Sequence, residues 1–342
     1  SCPCALVISI PLTFFGGIGG ASRRGILVKG ANFMDTLSRV KTVVFDKTGT
    51  LTKGEFRVSE VIPADCTAEE LTELAAHAES ISDHPIAVSV RDHYGKPINS
   101  AKVTEAEEIA GHGISAVISG KKVLLGNKAL MEKFGIQAEE HNGAGTAIYA
   151  AADGSFMGTI IISDGIKDGA ADAVRQLRAV GVSRCVMLTG DRKSEADAVA
   201  AALGLDAHFA QLLPSDKVTI VEKLLSESSG GLAFVGDGIN DAPVLARADV
   251  GIAMGSMGSD AAIEAADIVI MDDDIRKIPL VMRIASRTMR IVRENIVFAL
   301  AVKLAVMILG ALGIANMWLA VFADVGVAVL AILNSMRALR LK

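Results

Sequence analysis

Apolar residues gather at the two ends of this 342-residue chain, and that distribution limits its architecture more than any other feature. From Cys2 to Gly20 no charged residue occurs over 19 positions, and from Ile296 to Ala323 the single charge in 28 positions is Lys303. A bilayer core of about 30 Å is crossed by roughly 20 apolar residues in a helix. The first run (1–20) therefore makes one span, and residues 279–342 hold two more, about 295–314 and 316–336, with a turn near Gly310–Asn316. The polar alternation that marks a soluble helix bundle is missing. Arg23, Arg24 and Lys29 follow the first span, Arg283, Arg287, Arg290 and Arg293 precede the second, and Arg337, Arg340 and Lys342 follow the third. Basic flanks mark the cytoplasmic side, so the segment between the first and second spans is expected there, in a multi-pass membrane protein. No charged n-region precedes the first apolar run, which argues against a signal peptide, and the chain reads as the C-terminal part of a longer one. A net charge of −5 offers no basic surface for a nucleic-acid partner.

After a connector at 21–40, short apolar runs alternate with amphipathic helices: Val186–Leu188, Leu232–Val235, Val250–Met254 and Ile268–Met271, with helices at Gly165–Ala179, Lys193–Leu203 and Ser215–Leu225. Together with Val43–Phe45 upstream, this predicts an α/β domain (41–53 and 163–278) built on a parallel sheet. Polar residues cluster just after its strands: Asp46, then Thr189-Gly190-Asp191, then Gly236-Asp237-Gly238. Ligands bind at the carboxyl ends of strands in such sheets, so these distant segments are expected to meet in one crevice. Between them, 54–162 carries helical stretches and alternating runs, with an Asp153-Gly154 hairpin signal, and predicts an inserted α+β domain.

A carboxylate can attack a γ-phosphate only where cations cancel the repulsion. Asp46 is the nucleophile candidate, and Asp237 offers a further carboxylate for Mg2+, a hard ion that prefers oxygen ligands. Lys217, Thr189 and Asn240 can neutralise or hydrogen-bond phosphoryl oxygens, while Asp241 either supports the metal shell or caps the helix at Ala242. The run Asp46-Lys47-Thr48-Gly49-Thr50-Leu51-Thr52, followed in order by Thr189-Gly190-Asp191, Lys217 and Gly236-Asp237-Gly238-Ile239-Asn240-Asp241, resembles the phosphorylation machinery of P-type ATPases. The resemblance covers the whole chain and implies a haloacid-dehalogenase-like phosphorylation domain that uses ATP. It assigns catalytic roles to Asp46, Lys47, Thr48, Thr189, Gly190, Asp191, Lys217 and Asn240, and an Mg2+ site to Asp46, Thr48, Asp237 and Asp241. Soluble phosphatases of that fold have an acid/base Asp two residues after the nucleophile; here the position is Thr48, which implies a long-lived aspartyl-phosphate. No P-loop motif occurs.

Ser82-Asp83-His84-Pro85 and Gly111-His112-Gly113 are individually ordinary turn signals. With Glu79 they resemble the nucleotide-binding domain of heavy-metal P-type ATPases, which assigns Glu79, His84, Pro85, Gly111 and Gly113 to ATP; Asp83 stands where many members have Glu. Proline between two membrane cysteines, Cys2-Pro3-Cys4, frees backbone groups and breaks a helix locally. Lys303 and Asp324 lie at equal distances from the expected turn, so a hairpin puts both charges at one depth, as a structural ion pair or as part of a functional site. Two thiolates, one carboxylate, Lys303 and a divalent ion sum to neutrality, and thiolates with a carboxylate suit Zn2+ or Cd2+. Cys-Pro-Cys, the lysine and Asp324-Val325-Gly326 resemble the zinc/cadmium/lead exporters, with Cys2, Cys4 and Asp324 as ligands of the transported ion and Lys303 as counter-ion. Copper(I) relatives place Tyr-Asn and Met/Ser residues in the last two spans, and Phe298–Val306 has none of these, although copper export, a membrane-tethered phosphatase and an inert metal-binding fragment remain the alternatives. Cys66 and Cys185 read as structural. The family's actuator domain, marked by Thr-Gly-Glu, and its earlier spans are expected upstream as the missing partner of this chain.

Overall fold

The computed structural model describes residues 4–141, 143, 145–237, 241–255, 260–313 and 317–339. The chain divides into two compact units: one of residues up to Leu51, Lys167–Asp191 and from Ala200 on, the other of Thr52–Ile166 with Arg192–Val199.

In the first unit, α1 (Cys4–Ser22) leads into β1 (Ile26–Val28), α2 (Ala31–Ser38) and β2 (Val40–Asp46). The second unit contributes β3 (Thr52–Pro63), α3 (Ala68–Ala78), α4 (Pro85–Tyr94), β4 (Val103–Ile109), β5 (Gly113–Ile118), β6 (Lys121–Gly126), α5 (Lys128–Lys133), β7 (Thr146–Ala152) and β8 (Ser155–Ile166). Then follow α6 (Ala170–Ala179), β9 (Arg184–Leu188), α7 (Lys193–Leu203), β10 (Ala207–Phe209), α8 (Pro214–Glu227), β11 (Gly231–Gly236), α9 (Ala242–Arg247), β12 (Val250–Met254), α10 (Asp260–Ala265) and β13 (Ile268–Ile270). The chain closes with α11 (Lys277–Ala311), α12 (Met317–Val321) and α13 (Val327–Ser335).

The larger sheet has the order β1-β13-β12-β11-β2-β9-β10, parallel throughout except for β1. Strands β2, β11 and β12 are apolar and buried on both faces, as a sheet covered by helices on each side requires. From central β2 the chain winds outward through β9 and β10, then returns to the other side of β2 with β11 and continues to β13. This reversal creates a crevice at the carboxyl ends of β2, β9 and β11. Register aligns those ends: Asp46 pairs with Leu188, and Phe45 with Val235. Residues 21–40, expected as a connector, carry β1 and α2, and β1 adds an antiparallel edge, making the sheet mixed. Three residues are too few for a periodicity signal, which is why the strand escaped sequence reading.

The second unit is an antiparallel sheet, β3-β8-β7-β6-β5-β4. Alternation sorts its residues: Ile114, Ala116, Ile118, Ile148 and Ala150 pack with Leu71 and Val90 from α3 and α4, while Leu124, Tyr149 and Ala151 face α5. Asp153 and Gly154 both take positive φ (49° and 83°), as a two-residue type I′ hairpin demands.

Among the described residues, three helices are long and apolar enough to cross a membrane: Ala5–Ser22, Lys277–Ala311 and Met317–Ala338. The second starts well before the apolar run, and its 35 residues extend about 52 Å at 1.5 Å per residue. Its first half carries a buried stripe (Ile278, Val281, Met282, Ala285, Thr288, Val292) that packs on α2 and α6. The third is interrupted by a π-helical turn at Phe322–Gly326, which contains Asp324. A buried polar network joins the three helices. Thr13 Oγ1 donates to Ser335 Oγ at 2.8 Å, Asn295 Nδ2 to Ser335 Oγ at 3.0 Å, and Asn334 Nδ2 to Asn295 Oδ1 at 2.9 Å.

Candidate active site

Asp46 ends β2 in a buried position, 7 % exposed, beside Asp241, which is 2 % exposed and immediately precedes α9. Carboxylate oxygens of Asp46, Asp237 and Asp241 all lie within 4.8 Å of one another. Lys217 enters from the first turn of α8, whose start is closed by the Leu213 N–H donating to Asp216 Oδ2 at 2.9 Å. Its ammonium contacts Asp46 and lies 2.9 Å from Asp241 Oδ1, so one cation bridges two of the three carboxylates. Asp241 makes no side-chain capping bond to α9.

The charge balance is incomplete. Burial, then the neighbouring Asp241, push the Asp46 carboxyl up to about 7 despite Lys217. Burial and Asp241 likewise push Asp237 up to about 6, with Lys167 opposing. Burial lowers and the two aspartates raise the Lys217 ammonium, which ends above the ordinary lysine range. Three converging carboxylates that resist joint ionisation with one lysine between them form a donor set suited to a hard divalent cation, and Mg2+ fits it.

The loop after Asp46 is shaped by Gly49. Its φ of +72° lies in the left-handed region, and a Cβ there would fall 1.8 Å from Asp237 Oδ2. Lys47 turns away from the carboxylate cluster to pair with Asp191. The Thr189 hydroxyl donates to Asp191 Oδ2 at 2.7 Å and accepts from the Asp191 N–H at 3.0 Å. Burial opposes ionisation of Asp191, but these bonds from Lys47 and Thr189 outweigh it and hold the carboxyl below its ordinary range. Gly190 links the pair, and Thr48 is exposed at the mouth. Gly238, Ile239 and Asn240 lie outside the described residues, so the expectation for Asn240 stays with the sequence.

Two residues were missed by sequence reading. Lys167 is buried, donates to the Gly49 carbonyl and pairs with Asp273 Oδ2 at 2.7 Å. Asp273 adopts a φ of +60°, and its other oxygen is buried without a partner among the described residues. Together they brace the Gly49 turn.

In the second unit, His84 caps α4, its Nδ1 accepting from the Ile86 N–H at 3.2 Å, and Pro85 is the first helical residue. Arg91 donates to the carbonyls of Glu79 and Ser82, fixing the turn between α3 and α4. Gly111 has a φ of +72° in the β4–β5 turn. Gly113 lets β5 approach β6, since a Cβ would lie 2.1 Å from the Leu125 carbonyl. A cleft of about 940 Å3 lies between β3 and α4, lined by Arg57, Asp83, Pro85 and His93 among others; of the expected nucleotide residues it includes Pro85 and not Glu79, His84, Gly111 or Gly113.

Glu79 is 7 % exposed, and burial pushes its carboxyl up to about 7 from 4.5, with Arg91 opposing and Glu108 adding. A proton held more tightly in the folded state stabilises fully below the unfolded value, and this contribution is lost as pH rises through about 7. Glu79→Gln in the isolated 52–166 unit is therefore expected to melt higher than wild type at pH 8, with the gap closing by about pH 5. Equal melting temperatures at pH 8 would contradict the burial argument.

Cys2 lies outside the described residues, as does the side chain of Cys4. Ala5, Ala299, Val327 and Ala328 form a small apolar cluster, with Leu6 and Val302 against it, joining the three long helices. The cluster is one residue from Cys4 and from Lys303, and three from Asp324.

The sequence matches the profile of haloacid dehalogenase-like hydrolases over residues 40–249. It is 56 % identical over its full length to a cadmium, zinc and cobalt-transporting ATPase of Bacillus subtilis (strain 168), of which it covers 49 %. It is 55 % identical, over 98 % of its length, to a zinc-transporting ATPase of Synechocystis sp. (strain ATCC 27184 / PCC 6803 / Kazusa), of which it covers 47 %. The crystal structure of a zinc-transporting PIB-type ATPase in the E2.Pi state superposes with a TM-score of 0.89 at 38 % identity, covering 99 % of this chain and 56 % of that one. The chain thus spans about half the length of the curated relatives it matches.

Proposed function

The chain belongs to the haloacid dehalogenase-like hydrolase family and, within it, to the heavy-metal P-type ATPases, and from that premise we propose that it supplies the phosphorylation, nucleotide-binding and C-terminal membrane parts of an ATP-driven exporter of Zn2+ or Cd2+. The observation that carries this reading is the convergence of Asp46, Asp237 and Asp241 on Lys217 at the carboxyl ends of the central strands.

Asp46 is the nucleophile. Its carboxylate oxygen attacks the γ-phosphorus of ATP, the bond to the bridging oxygen breaks, and ADP leaves with that oxygen's charge. When bound by Asp46, Asp237, Asp241 and the Thr48 segment, Mg2+ supplies the positive charge that favours ionised Asp46 and offsets the phosphate's negative charge. Lys217 neutralises the transferring oxygens, and Thr189 orients them while Asp191 holds Lys47 aside. Thr48, exposed and without acid/base chemistry, leaves water without a base, so the aspartyl-phosphate survives until a further domain acts. Glu79, His84, Pro85, Gly111 and Gly113 form the nucleotide-recognising edge of the second unit.

The three long helices are read as spans of a bacterial plasma membrane, with both units cytoplasmic and the actuator and earlier spans supplied by the remainder of the pump. Cys2, Cys4 and Asp324 are the ligands of the transported ion. A π-helical turn at Asp324 supports this, since such turns recur at functional sites. Lys303 acts as counter-ion, because an ammonium has no lone pair to give a metal. The names of the relatives above carry zinc, cadmium and cobalt; Pb2+ rests on the sequence resemblance alone.

Within the full pump, Asp324→Ala is expected to weaken Zn2+ binding, whereas Lys303→Ala keeps the ion bound but slows its release and turnover. Equilibrium Zn2+ stoichiometry measured beside metal-stimulated ATPase rates separates the two. Loss of bound metal in Lys303→Ala with retention in Asp324→Ala would reverse the assigned roles.

A further inference from the structure

Outside the catalytic crevice, the strongest concentration of one charge lies where α11 leaves its apolar segment. Arg283, Arg287 and Arg290 follow one another at i, i+4 and i+7, and therefore share one face of the helix. That face lies beside the C-terminal end of α6 and outside the buried stripe of α11. A cavity of about 490 Å3 opens there, lined by these three arginines, by Arg337 from the end of the third long helix, and by Ser286, Ile291, Ala179 and Val180. No acidic side chain lines it among the described residues. A second cavity of about 490 Å3 shares Ser286 and Arg290 and is lined also by Met289, Arg293, Glu294 and Val297.

The arginines are not equally engaged. Arg337 pairs with Glu294 at 3.0 Å, and Arg283 donates to Gln176 Oε1 on α6 at 2.9 Å. Arg287 and Arg290 have no ion pair or hydrogen bond among the described residues. Four guanidinium groups from two helices, of which only Arg337 is offset by a carboxylate, leave a positive concavity, which planar, bidentate donors make selective for phosphate oxygens. Depth identifies the source of that phosphate. Arg290 lies six residues before Ile296, about 9 Å along the helix, and Arg287 about 14 Å. The headgroup layer extends roughly 5–8 Å beyond each face of the hydrocarbon, and an arginine side chain reaches across the remainder.

We propose that this cavity is a binding site for the phosphate headgroup of an anionic phospholipid of the cytoplasmic leaflet, held by Arg287, Arg290 and Arg337 with Arg283 at its outer wall. The proposal rests on the reading of α11 and the third helix as membrane spans. Because Arg283 also holds Gln176, an occupied site ties the lipid surface to α6 of the phosphorylation unit.

The test is native mass spectrometry of the whole chain in nanodiscs of phosphatidylcholine with or without phosphatidylglycerol. Wild type is expected to retain phosphatidylglycerol in preference to phosphatidylcholine, and Arg287→Gln/Arg290→Gln to lose roughly tenfold of that preference. Arg175→Gln, which removes an exposed charge from α6, is expected to change nothing. Equal retention of both lipids by wild type, or an undiminished preference in the double variant, would overturn the site. Displacement of the lipid by millimolar inorganic phosphate or glycerol phosphate would overturn it too, reassigning the cavity to a free anion. Should the double variant fail to fold, photoactivatable phosphatidylglycerol on wild type decides: labelling concentrated at 283–297 and 331–337 supports the site, and even labelling around all three helices contradicts it. If the membrane reading itself fails, the chain will not enter nanodiscs at all, a result distinct from insertion without lipid preference.

Discussion

Asp46→Asn is expected to reduce covalent labelling from ATP to background while nucleotide affinity stays within about twofold of wild type. The amide keeps the shape of the carboxylate and removes the nucleophile. The same substitution has an informative effect on stability. Asp46 binds its proton more tightly when folded, pushed up to about 7 from 3.8 chiefly by burial and then by Asp241. Its protonation therefore stabilises the metal-free fold fully below about pH 4, and that contribution is lost as pH rises through about 7. Asparagine cannot ionise, so the variant should lose less stability than wild type across that window and should gain less from added Mg2+ at pH 7.5. Near wild-type labelling in Asp46→Asn would dismiss the residue as nucleophile.

Gly49→Ala should be almost as damaging without touching a reactive group. A left-handed φ of +72° costs a non-glycine residue about 1–2 kcal/mol. The larger effect is local: the new methyl would stand 1.8 Å from Asp237 Oδ2, so either the loop or Asp237 must move. Lys167, itself paired with Asp273, holds the loop through the Gly49 carbonyl, which leaves Asp237 as the part that gives. A displacement of about 1 Å at a reacting centre costs on the order of 100-fold in rate. The initial rate of phosphorylation is expected to fall by about that factor, with the Mg2+ concentration for half-maximal rate rising, while circular dichroism shows the fold intact. A rate within about threefold of wild type would mean that the turn relaxes without disturbing Asp237.

What could be read from the sequence follows from where chemistry meets periodicity. Asp46, Thr189 and Asp237 each stand just after an apolar run, and parallel strands in register must bring such positions together, as the pairings of Asp46 with Leu188 and Phe45 with Val235 do. Lys217 was legible through the resemblance to the P-type phosphorylation machinery, in which a lysine at the start of a helix follows the Thr-Gly-Asp segment. Lys167 and Asp273 were not. Lys167 follows an antiparallel strand of the other unit, and Asp273 is the middle of three aspartates, so no pattern marks which one turns inward. The extent of α11 was hidden for a different reason. Arginines interrupt the apolar run near residue 293, yet the helix begins at Lys277 because its buried stripe continues onto α2 and α6. The network of Thr13, Asn295 and Ser335 was concealed by a count of charges, which passes over hydroxyls and amides that pair only in three dimensions.

In the nucleotide unit the helix-start reading of His84-Pro85 and the recognition reading are compatible. His84 spends Nδ1 on the Ile86 amide, which leaves the other ring nitrogen for a ligand. Strand approach also requires Gly113, so its substitution perturbs folding together with nucleotide contact.

Phosphoryl transfer to one aspartate is the claim on which the rest depends, and its most direct test is the chain itself with Mg2+ and ATP labelled at the γ-phosphate. After acid precipitation the expected result is a stable label, released by hydroxylamine and mapped by peptide mass spectrometry to Asp46. A label that resists hydroxylamine, maps to another residue, or fails to form in a folded chain that binds ATP would contradict it.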